Sequence, residues 1–217
     1  MPPAAHESSP HPFYTAVVLA AGQARRMGAP KLLLPLEGRP LLQHVLEAAE
    51  ASCVSELVLV VGPELNDRLS ELPRAGGKPR IVIRNPRPDD GQSRSLALGL
   101  KAASPKAVAA AIVLGDEPRL AADRIDCVAH AFAATAKPCA RPVYCSPPEP
   151  PVPGHPVFVA RRLWPEIDQL RGDQGLRDLL TRRPEWLFEA ETLDRAPRDI
   201  DTWKDYEAAG GERPVPN

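Results

Sequence analysis

Short apolar runs recur along the chain and set its rhythm. Ala16–Ala20 (AVVLA), Glu56–Val61 (ELVLVV), Arg80–Arg84 (RIVIR) and Ala109–Leu114 (AAAIVL) are bounded by Gly, Pro or charged residues, and each predicts a strand covered on both faces. Between them the apolar positions take helical spacing, over 40–51 with Pro40 in the first turn, over 64–71 and over 122–135. Strand and helix alternate. The pattern predicts an α/β fold, a single-domain, Rossmann-like, mostly parallel sheet flanked by helices on both faces.

One stretch breaks the rhythm. Pro138, Pro142, Pro147, Pro148, Pro150, Pro151, Pro153 and Pro156 crowd into residues 137–156, and each removes a backbone donor and fixes φ. The reading is a strand, a Pro-rich loop and a second strand at 156–160. Beyond it the pattern predicts helices over 161–168 and 174–183, a strand over Glu185–Glu189 and a last helix over Thr202–Ala209. Residues 13–209 then form one domain, with disordered tails at 1–12 and 210–217; the stretch after the Pro-rich loop is too poor in strands to stand as a second α/β domain.

Composition narrows the function. With 43% hydrophobic and 25% charged residues the chain has the balance of a soluble globular protein. Its net charge of −1 gives no general attraction to nucleic acid or to a membrane surface. No apolar run approaches the ~20 residues of a membrane span, and residues 1–12 lack the charged and apolar regions of a signal peptide, so a cytoplasmic protein is expected. Cys53, Cys127, Cys139 and Cys145 form no C-x-x-C pair and no zinc-like spacing.

Positive charge is instead concentrated in one place. After the first strand, Leu19-Ala20-Ala21-Gly22 opens a Gly turn, and Arg25, Arg26, Gly28 and Lys31 follow. Turn amides can point at an anion, and two guanidinium groups with an ammonium point to a polyanionic ligand. The spacing is neither a Walker A loop nor G-x-G-x-x-G. Two more strand ends deliver polar motifs to the same edge of the sheet, where open α/β folds bind ligands. Gly115-Asp116-Glu117-Pro118 places a carboxylate where Mg²⁺ could be recruited, since magnesium takes few carboxylates and completes its shell with water and phosphate oxygens. Asp116 can equally be read as a helix N-cap, and Glu117 as a second ligand or, the favoured reading, a solvent-facing residue. Gly91-Gln92-Ser93-Arg94-Ser95-Leu96 offers N–H and O–H donors at a helix start, suited to a ribose, a base edge or an acceptor phosphate, or to a simple cap.

Position by position, LAAG-x3-R-M-G-x2-K resembles the signature of the molybdenum cofactor cytidylyltransferase family, within the MobA-like nucleotidyltransferase superfamily. Gly91–Leu96, Gly154-His155-Pro156-Val157, Gly172-Asp173-Gln174-Gly175 and Asp199-Ile200-Asp201-Thr202 resemble further elements of that family, which together span about residues 14–206. The chain departs from it at Glu117, where Met is usual, and at Trp203, where Pro is usual. The resemblance implies a GT-A type nucleotidyltransferase fold. It also implies nucleotide binding by Leu19, Ala20, Ala21, Gly22, Arg25, Gly28, Lys31, Asn85, Ser93 and Ser95, with Arg26, Lys31 and Asp116 acting on the triphosphate. Asp201 would be a second Mg²⁺ ligand or a helix cap, and Gly91, Gln92, His155 and Asp173 would face the acceptor.

The activity implied is transfer of CMP from CTP to the phosphate of Mo-molybdopterin, giving molybdopterin cytosine dinucleotide and pyrophosphate, with transient delivery to a molybdenum hydroxylase. Ala21 and Leu32-Leu33-Leu34-Pro35 carry the preference for CTP over GTP. Three other readings stay open at this level: a GTP-using molybdopterin guanylyltransferase, a nucleotidyltransferase acting on a different phosphorylated acceptor, and a non-catalytic carrier of the cofactor for a molybdenum hydroxylase.

Overall fold

The computed structural model describes residues 12–22, 27–73, 76–172 and 174–213. In chain order its strands are β1 (Tyr14–Ala20), β2 (Pro35–Leu36), β3 (Arg39–Pro40), β4 (Glu56–Val61), β5 (Arg80–Arg84), β6 (Ala109–Leu114), β7 (Cys139–Tyr144), β8 (Val152–Pro153), β9 (Val157–Ala160) and β10 (Leu187–Thr192). Its helices are α1 (Leu41–Ala51), α2 (Pro63–Asn66), α3 (Gln92–Ala102), α4 (Ala122–Ala134), α5 (Trp164–Ile167), α6 (Leu176–Arg182) and α7 (Trp203–Ala208).

Among the described residues eight strands form one sheet, in the order β10-β7-β9-β6-β1-β4-β5 with β8 paired to β7. The strands β6, β1, β4 and β5 run parallel, as do β7 and β10. Between these two groups β9 lies antiparallel to both β6 and β7. The cause is the connection: the Pro-rich segment between β7 and β9 holds no crossover helix, and a strand that returns without one runs antiparallel.

Register explains why the strands read as continuous apolar runs. Val17 pairs with Val58 and with Ile112, while Val18 pairs with Leu59 and with Val113. The first set packs into one core with Leu96 and Leu100 of α3, Ile167 of α5 and Leu179 of α6. The second set packs into the other core with Leu42, Val45 and Leu46 of α1 and Ile125 and Val128 of α4. The central strands β1, β4 and β6 are thus covered by apolar side chains on both faces. Tyr14 closes the second core edge-on against Phe132 and Phe158, with ring centroids 6.2 and 5.3 Å away.

Four elements differ from their sequence reading. Helix 64–71 is a single turn, α2, followed by a 3-10 turn at Leu69–Glu71; Leu65 is its one buried side chain, and so short an apolar face cannot offset the cost of helix nucleation. The helix over 161–168 begins as a 3-10 turn and restarts at Trp164, because Pro165 fits only a first turn. Helix 174–183 shortens to α6 behind Gly175, whose amide donates to Asp178 at 3.3 Å. Pro184 forms a 3-10 turn through Trp186, so the strand expected from Glu185 starts at Leu187 and runs on to Thr192.

Helix α3 presses hard on the sheet at Gly99. A methyl group there would overlap Val17 Cγ1 and lie 3.1 Å from Val60 Cγ2, and valine side chains cannot swing aside. Gly99→Ala is expected to lower unfolding free energy by about 1–3 kcal/mol, the usual cost of overpacking, as read from urea midpoints. An unchanged midpoint would show that the two layers are loosely packed.

Candidate functional site

The polar residues of the chain gather beyond the carboxyl ends of β1 and β6. A cleft of about 350 Å³ opens there, with the turn residues Ala20, Ala21 and Gly22 on one wall, Gly91, Gln92 and Ser95 of the α3 start on another, and Lys31, Asp116 and Asp201 at its base. Close approach makes the floor. Gly115 donates its amide to Leu19 O at 3.0 Å, and a Cβ at Gly115 would crowd that same oxygen and Leu42, so glycine lets the two strand ends meet. Gly91, with φ of 96°, turns the chain into α3 through a conformation that favours glycine.

Lys31 organises the base of the cleft. It leads a 3-10 turn (Lys31–Leu33) and its side chain is only 10% exposed. Its Nζ donates to Asp116 Oδ2 at 2.8 Å and to Asp201 Oδ1 at 2.9 Å. Burial pulls the ammonium pKa down, but the charge of Asp116 and its hydrogen bond, joined by those of Asp201, outweigh it and raise the pKa above the ordinary lysine value. Lys31 therefore stays charged throughout the physiological range.

Two anchors hold Asp201 in place. Ile200 donates its amide to Asp116 O at 3.0 Å, tying the last segment to the end of β6. The cap of α7 is Thr202, with Thr202 Oγ1 accepting from Asp205 N at 3.2 Å and Asp205 Oδ2 accepting from Thr202 N at 2.8 Å, a reciprocal capping box. Asp201 is thus not the cap, and its carboxylate is turned to Lys31. Asp116 likewise gives its carboxylate to Lys31, and α4 begins after Ala121.

A divalent cation fits this donor set. Among the described residues no three His, Cys, Asp or Glu side chains converge as a closed metal cage. Two carboxylates that already share one buried cation match the habit of magnesium-like ions, which take one or two carboxylates and fill the rest of the shell from water and phosphate.

The other expected site residues take different positions. Asn85 is fully buried, its Nδ2 donating to Ser95 Oγ at 2.9 Å and its Oδ1 accepting from Arg94 Nε at 3.1 Å. It braces the α3 start from behind, and Ser95 is the member of that pair that reaches the cleft. Ser93 donates to Gly172 O at 2.8 Å and so ties the 172 turn to α3. Leu19 lines the cleft, and Gly28 lines a neighbouring hollow with Gly62 and Pro63. Arg25, Arg26 and Asp173 lie outside the described residues.

A second cavity of about 400 Å³ adjoins the first across Leu19, Gln92 and Leu114, and His155, Arg141 and Arg177 line it. Here the sequence reading needs correction: Glu117 does not face solvent. It is 7% exposed and its Oε1 accepts from His155 Nδ1 at 3.0 Å. Nothing local could reveal this, because the partner arrives from the far side of the Pro-rich loop. Arg141 and Arg177 carry no site signal in the sequence; the structure pairs Arg141 with Glu189 across β7 and β10. The cysteines contribute no reactive group at either cavity: Cys139, the buried one, has its thiol pushed up to about 12 by burial. No helix of the described residues is long and apolar enough to cross a membrane.

The capping box makes a pH-dependent contribution. Hydrogen bonding from Thr202 outweighs partial burial and holds the Asp205 carboxyl below its usual value. A depressed carboxylate stabilises above its unfolded pKa and loses that contribution as pH falls through the folded one. Asp205→Asn is therefore expected to lower stability at pH 7 by no more than about 1 kcal/mol, with the difference from the native chain vanishing in acid below about pH 4. Urea unfolding across pH checks this, and a deficit that persists unchanged in acid would remove the carboxylate from the account.

Known proteins resemble the chain in sequence and in architecture. The Bifunctional protein GlmU of Rhodospirillum rubrum is 46% identical over 63 residues, covering 27% of this chain and 14% of that one; this chain thus spans only a small part of that curated relative. Rv0371c from Mycobacterium tuberculosis H37Rv is 26% identical, covers 91% of this chain and 96% of its own, and superposes with a TM-score of 0.78. A structure of Rv0371c in complex with manganese, at 25% identity, covers 91% of this chain and 97% of its own with a TM-score of 0.74. The family model of the MobA-like NTP transferase domain matches residues 16–186. With a two-layered core around this sheet, a Gly turn beside a lysine clasped by two carboxylates and that match across most of its length, the chain belongs to the MobA-like NTP transferase family.

Proposed function

We propose that this chain transfers CMP from CTP to the phosphate of Mo-molybdopterin with Mg²⁺, giving molybdopterin cytosine dinucleotide and pyrophosphate. The observation that carries the reading is Lys31 held between Asp116 and Asp201 beneath the Ala21-Gly22 turn. The resemblance of the Lys31 loop, of Gly154–Val157 and of Asp199–Thr202 to the cytidylyltransferase branch supports the acceptor. Ala21 and the run Leu32–Pro35 support CTP.

The chemistry asks for little beyond charge and alignment. A phosphate monoester has a second pKa of about 6 and is already ionised at neutral pH, so no protein base is needed. One acceptor phosphate oxygen bonds to the α-phosphorus of CTP, the bond from that phosphorus to the β-phosphate bridging oxygen breaks, and pyrophosphate leaves. The amides of Ala21 and Gly22 and the Lys31 ammonium would bind the triphosphate and stabilise the leaving group. Mg²⁺, held by Asp116 and Asp201, would supply further neutralisation of phosphate charge when bound. His155, Gly91 and Gln92 would orient the acceptor so that the attack is in line.

Two measurements test the reading. Pyrophosphate release from CTP, GTP and ATP is followed with Mg²⁺, with and without Mo-molybdopterin. Release from CTP that requires the pterin is expected. Preference for GTP, or release with a different phosphorylated acceptor, would replace the substrate assignment, and pterin binding with no release from any nucleotide would turn the reading to a carrier. In the same assay Lys31→Ala and Asp116→Ala should each cut turnover by ~10² to 10³ while circular dichroism shows an intact fold. A near-native rate in either variant would remove that residue from the machinery.

A further inference from the structure

We propose that the second cavity takes the flat ring of the acceptor, a heterocycle of the pterin class, and that Glu117 makes His155 Nε2 a hydrogen-bond acceptor that selects a ring N–H or amino group. This deepens the reading above and rests on it.

The cavity is lined by two kinds of surface. Leu96, Ile112, Val157 and Leu180 are buried side chains that give it an apolar part. His155, Asp178, Arg141 and Arg177 supply polar groups of both senses, the carboxylate accepting and the guanidinium groups donating. Neither end of this mixture favours a lone anion: apolar side chains offer it nothing and Asp178 repels it, while Arg141 is already shared with Glu189. A flat heterocycle uses both surfaces. Its faces pack on the aliphatic side chains, and the N–H and C=O groups along its edge need acceptors and donors together. At about 400 Å³ the cavity falls in the usual range of small-molecule pockets, ~300–1,000 Å³.

Glu117 decides which sense His155 has. Its side chain is only 9% exposed, and its Oε1 lies 3.0 Å from His155 Nδ1. A carboxylate only accepts, so Nδ1 carries the hydrogen and the neutral imidazole keeps its lone pair on Nε2. Glu117 is not part of the cavity lining, whereas His155 is, and Nε2 has no protein partner among the described residues. The ring therefore turns an acceptor nitrogen to the cavity. Glu117 Oε2 has no hydrogen-bond partner among the described residues, and a carboxylate buried in that way is a costly choice for packing alone.

The backbone is held on both sides of this pair. Leu120 N donates to Glu117 O at 3.0 Å, and the Tyr144 hydroxyl donates to His155 O at 3.3 Å. A Cβ added at Gly154 would sit 2.5 Å from the Tyr144 ring, so the chain before His155 has little room to shift. With the backbone fixed, Glu117 sets the orientation of the imidazole. The cavity adjoins the Lys31 cleft across Leu19, Gln92 and Leu114, so a ring bound there leaves its phosphate-bearing side chain within reach of the nucleotide.

The test titrates the native chain with two fluorescent probes: free pterin, which has N–H and amino donors, and a lumazine methylated at both of its N–H positions, which has none. Native protein should bind pterin about tenfold more tightly than the methylated lumazine. Glu117→Met, which cannot accept from Nδ1–H, and His155→Phe, which keeps a ring without Nε2, should each weaken pterin binding about three- to tenfold, the worth of one hydrogen bond. Both should leave lumazine binding unmoved, so that the discrimination collapses. Glu117→Gln keeps an oxygen acceptor and should retain most of it. In side-chain ¹⁵N NMR of the native chain, the His155 Nε2 signal should be that of a bare nitrogen and should move when pterin is added. Inorganic phosphate should not displace pterin.

Equal binding of the two probes by native protein, discrimination that survives in His155→Phe, a proton on Nε2, or displacement of pterin by phosphate would each overturn the proposal. Should Glu117→Met fail to fold by circular dichroism, His155→Phe and the native ring signal still decide. If the probes behave as stated while native protein releases no pyrophosphate with Mo-molybdopterin, the transfer assignment fails and the ring site stands. If transfer is found and the probes are not told apart, the ring site alone fails.

Discussion

A buried ammonium must have partners, and Lys31 obtains its two from distant parts of the chain. Asp116 comes from the end of β6 and Asp201 from the segment before α7, 85 and 170 positions away. Desolvating a cation costs several kcal/mol unless charge and hydrogen bonds compensate, so the ion triad forms only when the β1 turn, the β6 end and the C-terminal segment are all in place. The same requirement makes the site. Three segments brought together to satisfy one lysine leave a cleft whose base is charged and whose rim consists of turn amides and a helix start.

The sheet supplies the platform. Its central strands are apolar on both faces and buried between two helical layers, so polar residues are confined to the strand ends. Gly115 and Gly91 act at those ends for different reasons, one through close approach to Leu19 O, the other through a left-handed turn into α3. The antiparallel β9 then brings His155 back toward the cleft, which a second parallel crossover would have carried elsewhere. The two adjoining cavities follow from that single reversal of direction.

Much of this architecture is legible in the sequence because it is local. Continuous apolar runs gave β1, β4, β5 and β6, and the proline cluster marked the loop between two strands. The Lys31 loop and Asp116 stand out because their charges have no packing role in a turn or at a strand end. What the sequence hides is pairing at a distance. Glu117 reads as a solvent-facing neighbour of Asp116, yet it is buried on a histidine 38 positions away. Asp201 reads equally as a ligand or a cap, and only the Thr202–Asp205 box leaves its carboxylate turned to Lys31. Asn85 lies within a motif associated with the nucleotide, but a strand-end side chain facing α3 is consumed by Ser95 and Arg94. Helix ends beside Pro165 and Pro184 shifted for the same reason that proline is hard to place without its neighbours.

The proposed function makes the Asp116 and Asp201 carboxylates that flank Lys31 the site of the divalent cation. The most direct measurement is a crystal structure with Mn²⁺ and CTP, using anomalous scattering to locate the metal. The account predicts a manganese peak between the Asp116 and Asp201 carboxylates, with the Lys31 ammonium withdrawn onto phosphate oxygens. A metal bound elsewhere, with Lys31 still clasped by both aspartates and the triphosphate outside the cleft, would contradict it.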